Sequence, residues 1–579
     1  MGTVCRTNFR AAAYLFPVFL YGKEREGSPA RQVAASRRAF FTNYSDEGEF
    51  AVNLVFVSFF LYLAVIFAIG VVTMRMGRTY EDFLIGGRRI GPWVSSFALI
   101  TSYMSGYTYT AAPGLGYTGG YSVLWWATGD APGNALSFGI LGRRIRKYSE
   151  LLGAITLPEY YEKRFNSPAL RVISAAIILL TVSMHLVAQW TASGKLLSVV
   201  FGTEYFTGMV IGCAVVLIYT IMGGYLAVVY TDFVQGLLMF FGTQMLFWVA
   251  LGRIGGFAAL NDKLGAINPA LVTPWGPDMA YYGLLAAATP VILIVMGSFG
   301  MPHITIKHFS MKNPDTARQA MLITGVFVVL FSFVYYMTGG LARVILGENL
   351  ADVEQAGVML WFKVLPPFWA GFLSSAAVAS LMSTADSFLL LLVSTIAHDL
   401  LNRFSKNEIP EKKRIAIARA LVLIVACVSF AVAMNPPALV FTIVIFVFGG
   451  MALAFGVPNL FSIFWKRTTA AGVGACMISS LVVYTGATAA KFSPWGLHPF
   501  ISGLIVAVAV LVLVSLATEP PKGRALEMFD YAAAYGDVPR SVAAGASASV
   551  RAEASLAEAE LGNGVDHKVL AGSGAAAAC

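Results

Sequence analysis

The sequence predicts an all-α membrane protein that crosses the bilayer many times, and three observations lead to this class. Its 579 residues are 57% hydrophobic and 12% charged, whereas soluble domains carry about 25% charged residues. Runs of about 20 apolar residues recur along the chain, and each is long enough to cross a bilayer as a helix. Lysine and arginine, which give a net charge of +9, concentrate in loops, so they indicate orientation in a membrane and not a nucleic-acid partner.

From residue 51 to residue 518 we predict a transmembrane domain of thirteen helices. Residues 1–50 are basic and have no assignable function; a tail, a surface amphipathic segment and an over-extended start of the reading frame are the interpretations that fit them. Residues 519–579, rich in Ala, Ser and Glu, predict a disordered or weakly helical tail. The ninth span exceeds one bilayer crossing, which predicts a tilted or extended helix. The predicted spans are 51–74, 92–112, 119–141, 169–192, 205–222, 226–251, 281–301, 319–345, 366–400, 413–434, 438–462, 469–490 and 497–518.

Basic residues predict which side of the membrane each loop occupies. They follow the first, third, seventh, ninth and eleventh spans, and these loops share one side if the spans alternate. By the positive-inside rule this side is the cytoplasm. The sequence therefore predicts a multi-pass protein of the plasma membrane with a cytoplasmic C-terminus. Representative basic residues are Arg88, Arg89, Arg143, Arg146, Lys163, Lys307, Arg318, Arg403, Lys412, Lys466 and Arg467.

Two of the apolar runs are poor helix material. Serine, threonine, glycine and proline interrupt the run Leu99–Gly116, and Gly297, Gly300 and Pro302 interrupt the run Thr289–Ile304. A helix that breaks at membrane depth frees backbone groups that need partners. A coupling ion and a polar substrate are such partners, and paired interruptions are typical of transporters built on internal repeats. The alternative is two ordinary helices with packing glycines and a proline kink.

The run Ser374–Leu392 carries hydroxyl groups on one helical face, at Ser380, Ser383, Thr384 and Ser387. Close packing of helices through small residues is one explanation. The other is a cation site, because hydroxyls and freed carbonyls supply the oxygens that sodium requires without a fixed charge.

Three carboxylates lie in or beside predicted spans, at Asp130, Asp232 and Asp386. Carboxylates within a membrane are expensive unless they are paired or face water, and they are functional candidates for that reason. For Asp232 the alternative is a cap at the start of the sixth span.

Enzymatic chemistry finds no support in the sequence. The segment Gly114–Gly119 matches a dinucleotide fingerprint only formally, because it follows a membrane helix and no βαβ unit surrounds it. The five cysteines are scattered without metal spacing, and no catalytic constellation occurs. The sequence therefore predicts a protein that is not an enzyme, has no cofactor and binds no nucleic acid.

Four segments together resemble the sodium/solute symporter family. They are Gly223–Gln235 (GGYLAVVYTDFVQ), Glu81–Trp93 (EDFLIGGRRIGPW), Phe299–Ile304 (FGMPHI) and Met382–Ser387 (MSTADS), and the resemblance covers residues 51–518 in the family's order. It implies a five-plus-five inverted-repeat core like the leucine-transporter fold. The two repeats would be residues 92–251 and 281–462, each beginning with one of the interrupted helices.

The same resemblance implies positions for the ligands. Sodium would be held by the carbonyl oxygens of Thr101, Met104 and Ser380 and by the hydroxyls of Ser383 and Thr384, and Asp232 would serve sodium coupling. Tyr103, Ile294 and Ser298 stand where proline-transporting members have an aspartate, a tryptophan and a tyrosine, which argues against proline. The implied substrate residues are Ser105, Gly106, Tyr107, Ser298, Phe299 and Pro302.

The sequence thus predicts a sodium-driven symporter that imports a small organic solute. A monocarboxylate or an amino acid fits best, because no lysine or arginine falls within the proposed pocket. Its expected partners are the solute, Na⁺ and the lipid bilayer. A proton-coupled carrier of the same fold, with Asp386 or Asp130 as the relay, is an alternative. A solute sensor or a channel is another.

Overall fold

The computed structural model describes residues 48–74, 80–401, 410–493, 496–522 and 524–533. Within these ranges the chain is almost entirely helical, and the only extended pairing is an isolated bridge between Ile90 and Met311. The predicted all-α class is confirmed for this part of the chain. Most of the N-terminal tail, residues 1–47, and the end of the C-terminal tail, residues 534–579, lie outside the described residues.

The helices follow the order of the predicted spans, and three π-helical stretches continue α5, α15 and α17. They are α1 (Gly48–Met74), α2 (Tyr80–Ile85), α3 (Pro92–Tyr103), α4 (Ala111–Gly119), α5 (Leu124–Leu136), α6 (Arg143–Leu152), α7 (Leu157–Phe165), α8 (Pro168–Phe201), α9 (Tyr205–Ile254), α10 (Gly256–Ile267), α11 (Leu284–Gly300), α12 (Pro302–Ser310), α13 (Pro314–Leu346), α14 (Ala356–Val364), α15 (Pro367–Ser394), α16 (Glu411–Ala433), α17 (Val440–Met451), α18 (Val457–Phe464), α19 (Ala470–Ala489), α20 (Phe500–Ala517) and α21 (Arg524–Ala533).

Ten of the thirteen predicted spans correspond to helices that can cross a membrane. In the described part of the chain, nine helices are long and apolar enough, and the bent pair α11–α12 makes a tenth. The other three predicted spans fall on shorter or interrupted helices: Pro92–Tyr103, Leu124–Leu136 and Tyr205–Ile218. The multi-pass architecture is therefore established, and the count of thirteen stays a prediction.

Helix α15 is the centre of the bundle. Together with its π-helical continuation it runs from Pro367 to Leu401, and its most apolar window is buried along its whole length. It packs against α1, α8 and α9, and it also contacts α3. Its many Ala, Ser and Gly residues let neighbouring backbones approach closely, which is how membrane helices associate.

Glycine at position 224 separates the two halves of α9. Its φ of 57° and ψ of −152° lie outside the helical region, so the chain bends there between the fifth and sixth predicted spans. A residue with a side chain would be strained at this φ. The backbone conformation therefore explains why the second residue of the pair Gly223–Gly224 is a glycine.

Arg144, Arg146 and Lys466 contact Ile463, Met311 and Asp530, and the end of the bundle where these contacts lie is called the basic end below. Here the polar helix α7 begins at Thr156, whose side chain accepts a hydrogen bond from the Glu159 amide at 3.2 Å. Helix α21, within the predicted C-terminal tail, packs against α6 and α18. Its Phe529 and Ala532 side chains are buried.

Candidate functional site

The first interrupted helix is broken where its sequence predicts. Helix α3 ends at Tyr103, and the chain becomes regular helix again only at Ala111. The amide of Gly106, in the break, donates a hydrogen bond to the Gln189 Oε1 of α8 at 3.1 Å. A Cβ at position 106 would lie 2.3 Å from the Leu381 side chain of α15, so this position requires glycine. The break is thus held by contacts to two other helices.

The second interruption is also present, although it is shorter. Helices α11 and α12 meet at Met301, an extended residue, with a bend of 50°. Pro302 occupies the first position of α12, where its missing N–H costs nothing. The buried Asn459 Nδ2 of α18 donates to the Phe299 carbonyl at 2.8 Å and so satisfies one of the freed backbone groups.

Hydroxyl groups of α15 meet the C-terminal carbonyls of α3. Ser383 Oγ lies 3.1 Å from the Thr101 carbonyl oxygen, and Thr384 Oγ1 lies 3.3 Å from the carbonyl oxygen of Ser102. Both hydroxyls also lie 3.2 Å from the Ser380 carbonyl oxygen of their own helix. All of these residues are almost completely buried. The structure therefore brings Thr101, Ser380, Ser383 and Thr384 together as one cluster of neutral oxygens.

The remaining predicted sodium ligand, Met104, follows directly after α3. Its amide donates to the Ile100 carbonyl at 2.8 Å, and its sulfur accepts from Thr108 at 3.8 Å. None of the described contacts brings the Met104 carbonyl to α15. Among the described residues no group of three or more His, Cys, Asp or Glu side chains could hold a metal. Neutral hydroxyl and carbonyl oxygens, such as those of this cluster, are the kind of ligand that an alkali cation accepts.

Asp232 lies in the second half of α9 and is paired. Lys307 Nζ donates to its Oδ2 at 3.1 Å, and both side chains are buried. The sequence prediction placed Lys307 in a basic loop, but it lies on α12, inside the bundle. The pair joins α9 to the helix that follows the second break. An unpaired charge here would be strongly destabilising, which explains why acid and base occur together.

A narrow cavity lies beside the first break. Its volume is about 20 Å³, taken as the space open to the centre of a water molecule. A larger cavity of about 930 Å³ lies at the basic end but shares no lining residue with either break. The narrow cavity is therefore the candidate solute site. Its described lining residues are Tyr103, Met104, Ser105, Tyr107, Thr108, Asp130, Ile294, Tyr335, Val444, Ile445 and Phe448.

Two of the six predicted substrate residues, Ser105 and Tyr107, line this cavity. Gly106 instead packs against Gln189 and Leu381. The other three, which are not among the lining residues, are buried around the second break: Ser298, Phe299 and Pro302.

Asp130 contributes the only charged side chain among the described lining residues. The Tyr103 hydroxyl donates to its Oδ1 at 2.8 Å, and the Tyr335 hydroxyl donates to its Oδ2. The sequence pointed to Asp130 as a carboxylate inside a span, but not to its place in the lining of the candidate solute site. Nothing in the sequence indicated that Tyr335 contacts Asp130, because the two residues are 205 positions apart in the chain.

Aromatic rings pack against Tyr107, one of the residues that line the cavity. The Phe441 ring of α17 stacks on Tyr107 at 6.1 Å and meets Trp126 edge-on at 5.7 Å. The Phe441 amide donates to Glu354 Oε1 at 3.1 Å, and Glu354 also binds Lys195 at 2.6 Å. An ion pair between the buried Glu354 and the partly buried Lys195 thus fixes the backbone at Phe441, next to a residue that lines the cavity.

Comparison with known proteins identifies the family. The family model described as the sodium:solute symporter family matches residues 83–480. The chain belongs to this family. The osmoregulated proline transporter OpuE of Bacillus subtilis (strain 168) is 29% identical over 482 residues, which are 82% of this chain and 97% of that protein. A sodium/proline symporter of Staphylococcus aureus (strain USA300) is 31% identical over 76% of this chain and 88% of its own.

Solved structures of symporters share the fold. A sodium-coupled sialic acid symporter, solved in a substrate-bound outward-open state, aligns with a TM-score of 0.67 and 18% identity over 81% of this chain and 99% of its own. The nucleobase-cation-symport-1 family transporter Mhp1 aligns with a TM-score of 0.51 and 13% identity over 78% of this chain. This sodium:solute symporter family member is therefore a membrane transporter and not an enzyme, with Na⁺ as its coupling ion.

Proposed function

We propose that the protein uses an inward sodium gradient to import a small organic solute, either an amino acid or a monocarboxylate, across the plasma membrane. The observation that supports this most strongly is the position of the oxygen cluster. The carbonyls at the end of α3 and the hydroxyls of α15 lie at the same helix break that borders the solute cavity. An ion bound there stabilises the conformation of the break, and the break forms part of the solute site.

The sodium ligands in this proposal are the carbonyl oxygens of Thr101, Met104 and Ser380 and the hydroxyls of Ser383 and Thr384. Four of the five already lie in one cluster, where Ser383 and Thr384 donate to backbone carbonyls. A hydroxyl has two lone pairs in addition to its proton, so each can bind the ion while it keeps a hydrogen bond. Small rotations about the α3 terminus would add the Met104 carbonyl.

Sodium and solute should strengthen each other's binding, because coupling between two sites is reciprocal. The membrane potential adds about 2.3 kcal/mol per charge for every 100 mV. Asp232 contributes through its pair with Lys307, which ties α9 to α12. We expect this pair to transmit the state of the first repeat to the second.

The solute in this proposal binds beside the first break, near Ser105, Gly106 and Tyr107, and extends toward Ser298, Phe299 and Pro302 of the second. The relatives named as proline transporters support a small solute of amino-acid size. The basic end faces the cytoplasm in this proposal, since basic loops are retained inside. Phe441, which stacks on the lining residue Tyr107, would then lie toward the outside, and the cavity would open first on that side.

Uptake into proteoliposomes tests the proposal. Acetate, pyruvate, lactate, proline, pantothenate and glucose are offered under an inward sodium gradient, with a potassium gradient as the control. We expect at least one solute to accumulate with sodium alone, to saturate, and to be insensitive to a protonophore. Accumulation that needs no sodium and collapses with the protonophore would contradict sodium coupling. Linear flux that does not saturate would indicate a channel.

Substitutions on α15 test the ion site. Ser383→Ala and Thr384→Ala should each raise the sodium concentration for half-maximal uptake at least tenfold. Ser374→Ala is the matched control, because its hydroxyl is equally buried on α15 but bonds the Ala370 carbonyl of its own helix at 2.8 Å. Unchanged sodium dependence in both site variants would contradict the assignment of Ser383 and Thr384 as sodium ligands.

A further inference from the structure

The carboxylate of Asp130 is buried in the wall of the solute cavity without a cation. It is 2% exposed, and no lysine, arginine or histidine in the described chain forms an ion pair with it. Its two oxygens accept hydrogen bonds from Tyr103 and Tyr335. A carboxylate inside a membrane protein is normally paired with a positive charge. This one is fixed in position, but its charge is not balanced by the protein.

The two phenols leave binding capacity on the carboxylate. An ionised carboxylate offers about four lone-pair sites, and Tyr103 and Tyr335 occupy one on each oxygen. A donor that enters the cavity can use the others. Hydrogen bonds between ionised groups are shorter and stronger than neutral ones, so a protonated amine gains most from this position.

The lining of the cavity has the chemistry that a small amphipathic solute needs, and the closed cavity, at about 20 Å³, must widen to admit one. Ile294, Val444 and Ile445 supply apolar surface in the same lining as the carboxylate. The Tyr103 and Phe448 rings lie 5.6 Å apart in an edge-to-face arrangement. Aromatic faces near a carboxylate stabilise a positive charge further. A solute that carries only a carboxylate would instead bring its negative charge close to Asp130.

We infer that Asp130 is the counter-ion for a protonated amino group of the transported solute, so that the protein selects amino or imino acids over simple monocarboxylates. This inference rests on the proposed function and narrows its substrate class. Asp130 contacts the solute directly, whereas Tyr103 and Tyr335 are positioning residues that orient its carboxylate.

Matched pairs of solutes test the inference on the unmodified protein. L-Alanine carries an amine where L-lactate carries a hydroxyl. L-Proline carries a ring nitrogen where tetrahydro-2-furoate carries a ring oxygen. Sodium-dependent transport currents are recorded in proteoliposomes on a solid-supported membrane. We expect the amine-bearing member of at least one pair to give a half-saturating concentration at least tenfold lower than its partner's.

The outcomes separate this inference from the function on which it rests. Sodium-driven currents that are as strong with lactate or tetrahydro-2-furoate would overturn the inference and leave the symporter intact. If sodium drives none of these four but drives another solute of the uptake panel, the inference is rejected and the symporter function stands. If sodium drives none of the solutes in either experiment, both are rejected.

Variants at position 130 provide a second measurement. Asp130→Asn should raise the half-saturating concentration of the amine-bearing solute at least tenfold and remove the preference for it within the pair. Asp130→Glu should keep a measurable preference. Monodisperse elution of both variants in detergent checks that they fold. If Asp130→Asn changes only the dependence on a proton gradient and keeps the pair preference, Asp130 is a proton carrier and the inference is wrong.

Discussion

Two buried carboxylates of the transmembrane domain have opposite surroundings. Asp232 is paired with Lys307 at 3.1 Å, between α9 and α12. Asp130 has neutral hydroxyl groups beside it and no cation among the described residues, and it lines a cavity. A carboxylate balanced within the protein stabilises one arrangement of helices, whereas a carboxylate left unbalanced beside a cavity favours the arrival of a cation. Residue type and depth alone do not distinguish these two roles, but their partners do.

The largest effect should come from removing the cation that Asp232 has. Lys307→Met leaves a buried carboxylate without its partner, which costs about 3–5 kcal/mol. We expect a marked fall in the thermal unfolding temperature of the purified protein. The double variant Asp232→Asn with Lys307→Met should recover part of the lost unfolding temperature. Lys312→Met, an exposed lysine two residues beyond α12, is the control and should change little. Equal falls for both lysines would mean that the ion pair is not structural.

Asp130→Asn should give the contrasting result for stability. Because its charge has no cation to lose, the unfolding temperature of the solute-free protein should stay constant or rise. Asp232→Asn, in comparison, leaves the buried Lys307 without its carboxylate partner and should lower the unfolding temperature. The same thermal unfolding assay measures both. A larger loss for Asp130→Asn than for Asp232→Asn would show that the comparison between the two carboxylates is mistaken.

A smaller effect should follow from removing one phenol. Tyr335→Phe removes one charge-assisted hydrogen bond to Asp130, worth about 1.5–3 kcal/mol in other proteins. We expect the half-saturating solute concentration to rise severalfold while maximal transport is kept. Tyr205→Phe, whose hydroxyl donates to the Ala433 backbone carbonyl at 2.8 Å, is the control and should leave solute affinity unchanged. Identical solute affinities in the two variants would contradict the proposal that Tyr335 orients the Asp130 carboxylate.

The smallest effect concerns a carboxylate outside the bilayer, Glu159 on α7. Burial raises its pKa, but the hydrogen bonds and charges of His398 and Lys163 outweigh burial and lower the pKa to about 2. Its stabilising effect is therefore complete above its unfolded pKa of about 4.3 and disappears as the pH falls toward 2. The difference in unfolding temperature between Glu159→Gln and the unmodified protein should shrink as the pH falls from about 5 toward 2, where the Glu159 carboxylate takes up a proton. A difference that already shrinks at pH 6 would contradict this.

The sequence predicted features that depend on local chemistry. Both breaks follow from glycine, proline and hydroxyl residues inside apolar runs, and the hydroxyl face of α15 follows from helical spacing. The bend at Gly224 lies between two predicted spans. These signals are local because backbone conformation depends mainly on neighbouring residues.

Features that depend on tertiary contacts were not accessible in this way. The link between Gln189 and Gly106 and the two phenols on Asp130 join residues from different helices. Lys307 was misplaced because basic residues near the end of a span usually lie in loops, and only its proximity to Asp232 explains its burial. The number of full crossings also depends on how short helices pack, which hydropathy does not report.

Helix α21 has a practical consequence for anyone who shortens or tags this protein. Phe529 and Ala532 are buried where α21 packs on α6 and α18, and Asp530 binds Lys466 at 2.6 Å. A deletion made directly after the last membrane helix would uncover apolar surface on the soluble side and invite aggregation during purification. A reporter or affinity tag is therefore better attached after Ala533 than at the Pro520–Pro521 junction.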